Sequence, residues 1–119
     1  MATKAEMRQR VAEELSLTPV GEAIASQDAT RIDATYSEVY ERLKEEGLAY
    51  WASSAGVPTK VVPYYALMME EKLARAYGTS DARYQRILSL AGQDGDAAMM
   101  KIARLLRPDY QSTDDVQDY

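Results

Sequence analysis

Residues 57–78, V-P-T-K-V-V-P-Y-Y-A-L-M-M-E-E-K-L-A-R-A-Y-G, constrain the fold more than any other part of the chain. Val61, Tyr65, Met68 and Met69 recur at helical spacing, and so do Val62, Ala66, Met69, Leu73 and Tyr77. The two rows give an apolar face wider than a single stripe, as a helix needs when several neighbours touch it. Glu70, Glu71 and Arg75 are left to cover the remaining surface. Thr59 offers a capping hydroxyl, Gly78 a left-handed terminator, and Pro63 an irregular or kinked entry. About 18 residues at roughly 1.5 Å each make a rod of some 27 Å, long enough to cross a small domain.

The other helices are arranged around this one. Residues 5–17 place Met7, Val11, Ala12 and Leu15 on one side and Arg8, Arg10, Glu13 and Glu14 on the other; Pro19 and Gly21 then break the pattern. Residues 28–46 carry Ile32, Tyr36, Val39, Tyr40 and Leu43 in a clear helical period, with Ser26 as cap, Asp28 favouring the dipole and Gly47 as terminator. Glu38 and Arg42 are spaced to pair, whereas Glu41 and Glu45 repel. Leu48, Ala49, Tyr50 and Trp51 form an extended linker whose aromatic groups lie against the bundle or a partner.

After Thr79, Ser80 and Asp81, which offer caps, Tyr84, Ile87, Leu88 and Ala91 are followed in phase by Ala98, Met99, Ile102, Leu105 and Leu106. The preserved phase favours one long helix, weakened at Gly92 and Gly95 by about 1 kcal/mol each; a kink or short break is the alternative. Arg107-Pro108 stops it, and four aspartates with Tyr110, Val116 and Tyr119 make up the tail. Too little apolar surface remains there to order a segment by itself. The fold expected is all-α, a small bundle of about four helices with an extended C-terminal arm. Residues 1–107 form the bundle and residues 108–119 a flexible arm.

Composition narrows the chemistry. The chain of 119 residues has a formal charge of -5, which disfavours nucleic acid or an anionic membrane as primary partner. With no cysteine and no histidine it lacks disulfides, thiolate chemistry, and the commonest general base and transition-metal ligand. No apolar run reaches the roughly 18 residues of a membrane span, and no signal-peptide core is present, so a soluble protein is expected. Nine tyrosines and six methionines, without phenylalanine, suit either a core or an adaptable interface. Glu45-Glu46 and Glu70-Glu71 point apart on their helices, and Asp94 and Asp96 form only a fragment of a calcium loop, so both read as surface residues. Arg83, Arg86, Lys101, Arg104 and Arg107 make a basic strip on an otherwise acidic protein, a poor DNA reader. No catalysis, metal or cofactor is expected.

The order of elements carries a resemblance. A helix ending in E-E-G-L-A-Y-W is followed by the Val57-Pro58 start, V-V-P-Y-Y-A-L and K-L-A-R-A-Y-G, then by the helix end I-A-R-L-L-R and a tail closing on tyrosine. Across residues 11–119 this resembles the small helical head-to-tail adaptors, or head-completion and connector proteins, of tailed bacteriophages. Gly92 and Gly95 are not part of the shared pattern. The resemblance implies a homo-oligomeric ring, commonly of about twelve copies, beneath the portal in the virion neck. It would bind the portal protein and tail or neck proteins, and DNA would pass through its channel without sequence-specific contact. Matched onto this chain, Asp109, Tyr110, Val116 and Tyr119 belong to the portal-docking arm, and Tyr50, Trp51 and Pro58 to linker or inter-subunit contacts. The rival class is a small helical regulator or antitoxin-like module that binds one protein through its tyrosines; a tail or neck protein at another position is a third.

Overall fold

A computed structural model describes residues 1–106. It is an all-α bundle: α1 (Lys4–Glu14), α2 (Ser26–Glu45), α3 (Val62–Ala76), α4 (Asp81–Ala91), a 3-10 turn (Gln93–Gly95) and α5 (Asp96–Leu106). There is no strand among the described residues, only an isolated antiparallel bridge between Ala2 and Val57. The arm expected at residues 108–119, with Asp109, Tyr110, Val116 and Tyr119, lies outside the described residues.

Helix α1 starts on a reciprocal cap. The Thr3 hydroxyl accepts from the Glu6 amide at 3.1 Å, and the Thr3 amide donates to Glu6 Oε1 at 3.0 Å. The helix stops three residues short of the expected end. Ser16 turns left-handed (φ 59°), and the Leu17 amide donates back to the Ala12 carbonyl at 2.8 Å. Met7, Val11, Ala12 and Leu15 are buried as their spacing requires.

Helix α2 buries Ile32, Tyr36, Val39, Tyr40 and Leu43 as expected. Its cap position is Ala25, so Ser26 is helical instead, its carbonyl accepting from Thr30 Oγ1 at 3.0 Å. Arg42 pairs with Asp96 rather than with Glu38, which faces Lys72 at 3.9 Å. At the far end the Gly47 amide donates to the Lys44 carbonyl and the Leu48 amide to that of Leu43, a Schellman termination that seats Leu48 beneath the last turn.

Helix α3 crosses the middle and touches α1, α2, α4 and α5. A turn through Pro58–Val61 leads into it, so Thr59 caps nothing. Pro63 is accommodated at the second helical position, where a missing amide is harmless. Gly78 has the left-handed conformation expected of it (φ 62°). Burial corrects one expectation. Glu70 and Glu71 do not cover the outside of the helix; they are 4% and 1% exposed.

The single long last helix is also corrected. Gly92 (φ 78°, ψ 167°), Asp94 (φ 56°) and Gly95 (φ 76°) break it into α4 and α5. A β-carbon on Gly95 would lie 3.2 Å from Met68 Cγ, and one on Gly92 2.8 Å from Ala97 Cβ. The apolar phase survives because both halves pack against α3, a shared partner that demands the same face of each.

Candidate functional site

Two surfaces combine geometry with unmet contacts. The first is built by the turn after α2. Schellman termination throws residues 48–51 back across α2, where the Tyr40 hydroxyl donates to the Trp51 carbonyl at 2.7 Å. The Tyr40 and Trp51 rings meet edge-on with centroids 6.3 Å apart. Trp51 is buried, and its indole Nε1 finds no acceptor. Tyr50 stands edge-on to Trp51 at 5.3 Å and is 69% exposed. Beyond it the Ala55 amide closes a turn onto the Ala52 carbonyl before Val57 pairs with Ala2. Of the three linker residues, Trp51 and Pro58 are internal and Tyr50 alone faces out. Leu48, two residues before Tyr50, lines a cleft of about 210 Å³ with Glu46, Met99, Ala103 and Met100, the last mostly exposed.

The second surface was not legible as a site in the sequence. A cleft of about 340 Å³ opens between the end of α1 and the facing sides of α3 and α4. Glu70 lines it together with Leu67 and Ile87. Burial pushes the Glu70 carboxyl up to about 9; a hydrogen bond with Glu14 and the Glu14 charge add to this, and Arg10 opposes it. Its Oε2 is buried without a partner. Glu14 is itself paired with Arg10 at 2.6 Å. Arg83 and Arg86 line the opposite wall, and Arg83 donates to Ser16 Oγ at 2.6 Å. The available signal was spacing: Ala66, Glu70, Leu73 and Tyr77 fall on one helical row, so Glu70 had to share the burial of its neighbours.

Glu71 serves the fold. Its carboxylate holds Arg75 at 3.0 Å, and Arg75 reaches Asp94 at 3.4 Å. Asp94 and Asp96 are exposed as expected, yet both brace the break between α4 and α5: Arg42 contacts the Asp94 carbonyl and the Asp96 carboxylate. The basic strip is divided between helices, Arg83 and Arg86 on α4 and Lys101 and Arg104 on α5, with Arg107 outside the described residues. Among the described residues no three acidic or metal-ligating side chains are grouped to hold a metal, and no helix is long and apolar enough to cross a membrane. No family model, curated protein or solved structure matches the chain.

Proposed function

We propose that this chain is a head-to-tail adaptor of a tailed bacteriophage, a structural subunit that forms a ring under the portal, extends the DNA channel and attaches the tail. The resemblance across residues 11–119 supports it, as does the all-α bundle. The observation that carries it is the presentation of Tyr50. An exposed tyrosine lies edge-on to a tryptophan whose backbone is bonded to Tyr40, two residues after Leu48, which lines a cleft with Met99 and Met100. A rigid aromatic next to adaptable apolar side chains is the composition of a protein contact. The acidic balance suits a conduit for DNA, since a negative lumen repels phosphates.

In this function Tyr50 contacts a neighbouring subunit, and Asp109, Tyr110, Val116 and Tyr119 dock on the portal. The free chain is expected to be monomeric and to assemble on its partner. Native mass measurement with and without isolated portal rings tests this. Many copies per portal ring are expected. One copy bound to one partner molecule would replace the adaptor with the regulator or antitoxin-like module.

A further inference from the structure

The cleft over Glu70 lies apart from the Tyr50 surface and has its own chemistry. Burial keeps Glu70 neutral at ordinary pH, and Glu14 is engaged by Arg10, so the charge facing the opening comes from Arg83 and Arg86. Neither arginine belongs to an ion pair among the described residues. Two guanidinium groups outside any ion pair favour a carboxylate or phosphate. Glu14 lines the same cleft, and its carboxylate opposes the double charge of a phosphate more than the single charge of a carboxylate. Leu90, one turn beyond Arg86, is 58% exposed at the edge of the cleft, an apolar surface that a small acid leaves uncovered.

We infer that this cleft receives an acidic peptide segment of a protein partner: its carboxylate pairs with Arg83 and Arg86, and an apolar side chain covers Leu90. The space of about 340 Å³ accommodates an acidic side chain and its flanking peptide units. This rests on the chain working by docking protein partners, as proposed above.

The test is an amide-resolved titration of the full chain with the blocked peptide N-acetyl leucine–aspartate–glutamate–leucine amide, and with its asparagine–glutamine counterpart. Saturable shifts are expected at Glu14, Glu70 and along Arg83 to Leu90, with the uncharged counterpart about tenfold weaker. Arg83→Gln and Arg86→Gln are each expected to weaken the acidic peptide without altering the melting temperature. Glu70→Gln, which leaves both arginines in place, is expected to retain it, and loss of binding by this variant overturns the inference. No saturable shift, or equal binding of the two peptides, overturns the inference. So does succinate binding as tightly as the peptide, which would make the ligand a free acid. The titration uses the unassembled chain, so its failure is separable from failure to assemble on a portal ring.

Discussion

The hydroxyl of Tyr65, in the first turn of α3, donates to the backbone carbonyl of Tyr36, in the middle of α2, at 2.7 Å. Their rings lie 5.2 Å apart at 45°. Tyr65 is fully buried, and burial first, then the nearby Tyr36 and Tyr40, drives its hydroxyl strongly toward the protonated donor form. The central helix is thus pinned to its longest neighbour by a polar contact inside an apolar layer.

Tyr65→Phe keeps the ring and removes the donor. The Tyr36 carbonyl is within a helix and retains its α2 partner, so no acceptor is left wholly bare. A loss of about 0.5–1.5 kcal/mol is expected, read as a lower denaturant midpoint at unchanged slope. No change in midpoint would mean that ring packing alone joins the two helices.

Glu70 gives stability an unusual dependence on pH. Its carboxyl faces Glu14 and Arg10 from α1 and shares a cleft with Arg83 and Arg86 from α4. The folded chain holds the proton up to about 9, whereas an ordinary glutamate releases it near 4.5. Between these values the folded state binds more protons than the unfolded one. The contribution of Glu70 is therefore complete below the lower value and is lost as pH rises toward the upper, at up to about 1.4 kcal/mol per pH unit. Glu70→Gln removes this slope and is expected to stabilise the protein at pH 8 by about 1–3 kcal/mol, the advantage shrinking on acidification. Denaturation of both proteins across this window checks it; parallel curves would place an ordinary carboxylate at position 70.

What the sequence reveals depends on how many sides of a helix are covered. Ile32, Tyr36, Val39, Tyr40 and Leu43 are legible because α2 keeps a polar face, so its apolar period marks the inside. On α3 that inference fails at Glu70 and Glu71, because neighbouring elements cover the faces these two residues occupy. The break at Gly92–Gly95 is hidden for the opposite reason: packing on α3 preserves a phase that mimics continuity. Tyr50 and Trp51 are indistinguishable within an apolar run. Their opposite fates are set by the turn at Gly47 and the Tyr40 hydroxyl bond, both tertiary facts.

The break itself can be tested by the sign of a substitution. In a continuous helix Gly92→Ala or Gly95→Ala would stabilise by about 1 kcal/mol through helix propensity. In this fold both glycines have positive φ, and an added methyl meets Ala97 or Met68. Each substitution is expected to destabilise by about 1–3 kcal/mol. Thermal unfolding decides between the two, and a raised melting temperature would restore the continuous helix.

Tyr50 and Trp51 are adjacent in the chain, yet replacing them should have opposite consequences. Trp51 is buried against Tyr40, so Trp51→Ala opens a cavity and is expected to cost about 3–5 kcal/mol. Tyr50 touches only the edge of Trp51 and is 69% exposed, so Tyr50→Ser is expected to shift stability by less than about 0.5 kcal/mol. If Tyr50 serves a subunit contact, the same mild variant should lose assembly on portal rings, as loss of an aromatic anchor commonly costs about 2 kcal/mol or more per interface. Met100→Ser, at the neighbouring cleft, should weaken assembly less, since its flexible side chain orders at greater entropic cost. The measurement is co-sedimentation with portal rings beside a melting curve for each variant. Full assembly by a folded Tyr50→Ser protein would remove this face from the contact and leave residues 108–119 to carry it.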